Sequence, residues 1–220
     1  MLVILPPSEG KAAPVRGRPV DLERLVHPEL NPRREALLDA LGPALRLAPA
    51  APASRVYTGV LFQRLRLAEL RASARRRVLI ASALWGVVRP DDRIPAYRLP
   101  IGSRLDGFGG LAAHWRPALA AALPDSGLVV DLRSGAYAAA WRPRAAKVVG
   151  VRGLVERGGR RTVVSHMVKA TRGDVARLLL EAPRAPRSPE GVAAIVAAAG
   201  HEVELTRGAS GWSLDVIDRD

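Results

Sequence analysis

The stretch LWGVVRPDDRIPAYRLPIGSRL, residues 84–105, limits the fold more than any other, because it carries prolines at 90, 95 and 100. Each proline removes a backbone donor and pushes the residue before it out of the helical region. A long helix is therefore excluded. So is a central strand, where every donor is needed by the ladder. The stretch also holds Arg89, Arg93, Arg98 and Arg104. Long irregular segments inside a domain are uncommon and usually functional, so this ribbon is expected to form part of a binding surface.

Around it, short apolar runs alternate with helical patterns. Leu2–Leu5 reads as a first strand. Asn31 offers an N-cap with Pro32 behind it, and Gly42 closes the helix. Residues 42–55 read as a connector, and VLFQRLRLAELRA has helical spacing at 61, 65 and 68–70. RVLIAS (77–82), GLVVDL (127–132), KVVGVR (147–152) and RTVVSHMV (161–168) read as strands, with a hairpin turn at Arg157–Arg160 before the last. GLAAHWRPALAAAL is a helix bent or started near Pro117. Thr171 is expected to begin another, which Pro183 stops, and Ser188 with Pro189 opens the next. HEVELTR and GWSLDVI form a closing hairpin around Gly208–Gly211. This interleaving predicts a mixed α/β fold: one compact domain over residues 1–220, a mixed β-sheet flanked by helices.

Composition narrows the chemistry. Lysine and arginine number 34 against 21 acids, a net charge of +13, and only Lys11, Lys147 and Lys169 are lysines. A surface this basic attracts polyanions or phosphorylated metabolites. The chain has no cysteine, which excludes disulfides, thiolate metal sites and cysteine nucleophiles. No apolar run reaches the roughly 18 residues of a membrane span. MLVILPPSEGK lacks a basic leader and reads as a strand, not a signal peptide.

Two stretches suggest an anion site. In VKATRGDVARLLL, Thr171 and Asp174 resemble a capping box, which would place Lys169 and Arg172 at a helix N-terminus. Cations oppose the dipole there, so the arrangement makes sense if an anion sits between them. In VVDLRSGAY, Asp131 ends a strand and is followed by Arg133, Ser134 and Tyr137, where α/β sheets gather ligands. Other matches carry less. GFGGLA (107–112) has the spacing of a dinucleotide loop without the preceding buried strand. HEVE (201–204) alternates its residues across a strand, and no metal site or cofactor is expected. His166 would lie mid-strand, as a hydrogen-bonded core residue or as a base. Standard catalytic signatures are missing.

MLVILPPSEGK, VYTGV, the 84–105 ribbon, VVDLRSGAY and SHMVKATRGDVARLL occur in the order that resembles the YaaA family of peroxide stress proteins. The resemblance runs from residue 1 to about residue 181, and G-V-x-R-P-x-D with a downstream P-x-Y-R-L is its most specific part. It implies a cytoplasmic protein that protects bacteria from hydrogen peroxide, partly by limiting free iron. It also implies a compact mixed α/β fold with a basic cleft and DNA binding. The matching positions that would line that cleft are Lys11, Tyr57, Thr58, Arg89, Arg98, Arg104, Ser134, Tyr137, Lys169 and Arg172. Longer members place a helix–hairpin–helix-like element before the YTG motif. Here residues 43–56, rich in proline and alanine, are too few for one.

Two readings stay open, both with a monomer and no membrane partner. In one, the cleft binds double-stranded DNA without base readout. In the other, an enzyme holds a small anionic, nucleotide- or nucleobase-like substrate among Lys11, Tyr137, His166 and Lys169, where burial can tune lysine and tyrosine for proton transfer.

Overall fold

A computed structural model describes residues 1–163, 165–209 and 211–219, with Ser165 and His166 described by backbone alone. Its centre is the first strand, β1 (Leu2–Leu5), whose Val3, Ile4 and Leu5 are fully buried. Only a strand covered on both faces reads as such a continuous apolar run. β1 pairs in parallel with β2 (Val78–Ser82) on one side and with β4 (Leu128–Asp131) on the other. β3 (Gly86–Val88) folds back antiparallel to β2 at the sheet edge. On the far side β5 (Lys147–Arg157) pairs in parallel with β4 and with β8 (Gly211–Arg219). β6 (Arg160–Thr162) turns back on β5, and β7 (Glu202–Gly208) closes on β8 across the Gly208–Gly211 pair. The order is β7-β8-β5-β4-β1-β2-β3. This is the mixed sheet that the interleaved pattern predicts.

Helices flank the sheet: α1 (Asn31–Leu41), α2 (Val60–Leu65), α3 (Leu111–Ala122), the one-turn α4 (Gly135–Ala138), α5 (Ser165–Glu181) and α6 (Pro189–Ala198). α6 begins as its sequence predicts, with the Ser188 side chain accepting from the Gly191 amide at 3.2 Å. Pro117 lies inside α3. α2 is shorter than the 61–70 spacing suggests, because Arg66 takes a left-handed conformation (φ 49°) that ends it.

The proline ribbon behaves as its composition demands. β3 is an edge strand, Arg93–Ile94 pairs with Ala51–Pro52, and Arg104–Leu105 pairs with Gly109–Gly110. Buried Asp92 ties it inward by accepting from the Arg89 amide at 2.8 Å and the Val26 amide at 3.1 Å.

One expected element is corrected. The strand 161–168 stops at Thr162, and α5 starts at Ser165, six residues before Thr171. Thr171 is therefore no N-cap; its hydroxyl donates to the Met167 carbonyl one turn back at 2.9 Å. Tertiary packing decides this. Gly173 lies so close to α2 that an added Cβ would sit 2.5 Å from the Leu61 carbonyl oxygen, and one on Gly153 would meet the Thr171 hydroxyl at 2.8 Å. Both contacts need residues 165–173 coiled against α2 and β5, which overrides the β propensity of the valines.

Candidate anion-binding cavity

Since β1, β2 and β4 run parallel, their carboxyl ends share one rim of the sheet, where ligands gather in folds of this type. A cavity of about 1180 Å³ opens there. Its walls come from residues 6–11 after β1, residues 59–62 at the start of α2, ribbon residues 96–102, Ser134 and Tyr137 after β4, and Lys169 and Arg172 on α5.

The loop carrying Lys11 is fastened to the VYTGV motif. Lys11 and Tyr57 form an antiparallel bridge, the Ala12 amide donates to the Val56 carbonyl (2.9 Å), and the Thr58 amide donates to the Gly10 carbonyl (3.1 Å). The Ser8 hydroxyl donates to the Thr58 carbonyl. Gly59 sits at φ 117°, and a Cβ there would lie 2.7 Å from the Ser8 oxygen, so only glycine fits. The Lys11 ammonium donates to the Ser8 carbonyl at 2.8 Å and lies 4.5 Å from the centre of the Tyr97 ring. Burial pulls its pKa below the usual lysine value, against a smaller opposing pull from Glu9.

Beyond β4, Arg133 fixes the next wall. Its buried guanidinium grips both oxygens of Asp131 at 2.9 and 2.7 Å and donates to the Trp141 carbonyl at 2.8 Å. It holds the Ser134–Tyr137 turn in place and is not free to bind a ligand. Burial also drives the Tyr137 phenol well above its usual pKa.

On α5, Lys169 and Arg172 are three residues apart and so share a face. They stand inside the helix and not at its N-terminus, which corrects the capping expectation. Half-buried Arg172 donates through Nε to the Val151 carbonyl at 3.0 Å, and burial lowers its pKa despite a weaker influence from Asp131.

Of the residues singled out by sequence, Lys11, Arg98, Ser134, Tyr137, Lys169 and Arg172 border the cavity. Tyr57 and Thr58 lie behind its wall and brace the Lys11 loop. Arg89 and Arg104 are exposed and off the lining, and Arg93 is committed to the Ala50 carbonyl at 2.6 Å. Only one of the four ribbon arginines therefore faces the site. His166 falls on α5, but its side chain lies outside the described residues. Sequence reading passed over Glu9, Tyr97 and the apolar Leu61, Phe62, Leu99 and Ile101. Tyr97 could have been found from its place in the P-x-Y-R-L motif.

Among the described residues no group of three or more His, Asp or Glu side chains is arranged to hold a metal, and no helix is long and apolar enough to cross a membrane.

Comparison with known sequences gives a consistent result. The profile of the family described as peroxide stress protein YaaA matches residues 29–204. A UPF0246 protein of Streptomyces coelicolor is 43% identical, with 99% of this chain and 98% of the relative aligned. A UPF0246 protein of Corynebacterium efficiens is 37% identical, with 94% of this chain and 96% of the relative aligned. The Streptomyces alignment spans 257 positions against the 220 residues here, so that relative carries segments this chain lacks.

Proposed function

The chain belongs to the peroxide stress protein YaaA family, and we propose that it serves peroxide protection by binding a small anionic ligand in the cavity. One observation carries this reading. Lys11 and Arg172 are half-buried cations on the cavity wall, and among the described residues neither has a carboxylate partner within ion-pair distance. Withdrawing a charge from water is costly unless it is paired. Elsewhere the protein meets that cost: fully buried Arg34 donates to five acceptors, and Arg133 is paired with Asp131. Here, among the described residues, the guanidinium of Arg172 uses Nε alone, and the Lys11 ammonium uses one of its three protons. A phosphate or carboxylate would complete both sets. Leu61, Phe62, Leu99 and Ile101 offer apolar surface for the body of such a ligand, in keeping with a small-molecule site.

Non-specific DNA binding is the second reading, favoured by the net charge of +13 and by exposed Arg89 and Arg104 beyond the cavity. Calorimetry with inorganic phosphate, AMP and a short DNA duplex separates the two. Small anions are expected to bind and to lose affinity in Arg172→Gln and Lys169→Gln. Duplex affinity that falls steeply with salt, with no response to phosphate or AMP, would overturn the small-ligand reading. In cells, deletion of the gene is expected to raise both peroxide sensitivity and free iron.

A further inference from the structure

The residue types around the cavity are unusual for this chain. It has three lysines among 34 basic residues, yet Lys11 and Lys169 both border the cavity. Where arginine is the default cation, a lysine in the cavity wall brings a property that arginine lacks. An amine can lose its proton at an accessible pH and then attack carbon; a guanidinium does neither. The chain also has only three tyrosines, and all three meet here. Tyr97 and Tyr137 line the cavity, and Tyr57 stands directly behind Tyr97.

The hydroxyls of Tyr57, Tyr97 and Ser82 are linked by hydrogen bonds. The Ser82 oxygen accepts from the Leu84 amide (3.2 Å) and the Trp85 amide (2.9 Å), which uses both its lone pairs. The serine proton is therefore directed at the phenol oxygens, with that of Tyr97 2.7 Å away. Tyr97 and Tyr57 share the next contact at 2.8 Å. Ser82 cannot accept from either phenol and the two phenols share one contact, so one of their two protons has no protein acceptor among the described residues. The Tyr137 oxygen is bonded by the Ile101 backbone, and its own proton has no such acceptor either. Burial keeps all three phenols protonated. The Tyr137 hydroxyl is thus an O–H donor on the cavity wall, which also carries an amine with no carboxylate within ion-pair distance among the described residues.

The amine stands on the cavity wall. Its surroundings are the Ser8 carbonyl and two tyrosine faces, at 4.5 Å (Tyr97) and 5.6 Å (Tyr57). The ring faces and the carbonyl favour the ammonium modestly. Burial works against it and exceeds the help from Glu9.

We propose that Lys11 is a reactive amine that forms an imine with a small carbonyl compound bearing a phosphate or carboxylate. The inference rests on the anion reading above, with Arg172 and Lys169 holding the charged group. The Lys11 Nζ lone pair attacks the carbonyl carbon, a C–N bond forms, and the C=O π pair moves onto oxygen. That oxygen takes a proton, with Tyr137 as the donor on the cavity wall, while nitrogen loses one, giving a carbinolamine. A second proton on oxygen lets it leave as water while the C=N bond forms, and nitrogen gives up its remaining proton, so no net proton is consumed. Amine and carbonyl become imine and water, and no oxidant or reductant is needed. The donors that bond the carbonyl oxygen serve it better as negative charge builds there.

The chain's few lysines make the test direct. The full-length protein is treated with pyridoxal phosphate, an anionic aldehyde, then reduced with borohydride and mapped by peptide mass spectrometry. Labelling of Lys11 is expected about tenfold or more ahead of exposed Lys147. Inorganic phosphate should slow it, Tyr137→Phe should slow it without lowering phosphate affinity, and Lys11→Arg should abolish it. Even labelling of Lys11, Lys147, Lys169 and the N-terminal amine would overturn the proposal, as would preferential labelling of Lys169. No labelling in a protein that still binds phosphate would overturn the imine and leave the anion reading standing. No labelling and no phosphate binding would remove both.

Discussion

The phenol oxygens of Tyr57 and Tyr97 lie 2.8 Å apart in side chains that are almost wholly buried, and Ser82 bonds the second of them at 2.7 Å. Burial raises the pKa of all three tyrosines above the usual 10. In the unfolded chain they ionise near pH 10, whereas the folded protein keeps its protons. The stability they contribute is therefore complete below pH 10 and lost as the pH climbs past it. Absorbance at the phenolate wavelength is expected to stay flat through pH 10 and to rise only with loss of the folded circular dichroism signal. An ordinary tyrosine titration in folded protein would contradict this.

Arg34 has no exposed surface, and its guanidinium donates to the carbonyls of Val26, His27, Trp85 and Val87 and to the Asn31 side chain. Burial pushes its pKa down to about 10. It joins α1 to the start of the ribbon. Arg34→Met leaves buried acceptors without donors, each costing about 1–3 kcal/mol. Arg34→Lys supplies three donors without the planar fork. Both variants are expected to lose about 3 kcal/mol or more in urea unfolding, Met more than Lys.

Gly173 inverts a familiar rule. Glycine to alanine inside a helix ordinarily gains about 1 kcal/mol. At this position the new methyl would lie 2.5 Å from the Leu61 carbonyl oxygen and 2.7 Å from Arg64 Cβ. Gly173→Ala is expected to destabilise by about 1–3 kcal/mol, as overpacking does, and to lower phosphate affinity by shifting Lys169 and Arg172. A higher melting temperature would show that α5 can move away from α2 at no cost.

The Asp131–Arg133 pair lies beside the cavity without lining it. Asp131→Asn leaves the buried guanidinium without its counter-charge, for which about 3–5 kcal/mol is the usual loss. Hydrogen exchange in residues 134–141 should speed up, because Arg133 also fastens the Trp141 and Tyr137 carbonyls at 2.8 and 3.3 Å. Unchanged exchange there would mean that this turn is held by other contacts.

Much of the framework was legible in order along the chain. β1, β2 and β4 announce themselves as short apolar runs, and Ser188 with Pro189 marks the start of α6, because strands and caps depend on neighbouring residues. The run Thr162–Val163 into α5 was not legible. Its β-branched residues argue for a strand, while a contact with α2, about a hundred positions away in sequence, requires a helix. The same misreading placed Lys169 and Arg172 at a helix end, although both do face the cavity.

By itself the sequence determined the central strands, though not their parallel pairing, the exclusion of a long helix from 84–105, the family, and the identity of Lys11, Arg98, Lys169 and Arg172 as candidate cations. Local propensity, proline geometry and motif order are written in adjacent residues. Only the tertiary structure decided which cations are already satisfied and which are not. Arg64 pairs with Asp174, Arg133 fastens Trp141, and Arg93 reaches Ala50, whereas Lys11 and Arg172 meet no carboxylate among the described residues. Charge pairing depends on distances of a few ångströms between segments far apart in sequence, and only folding brings those distances into being.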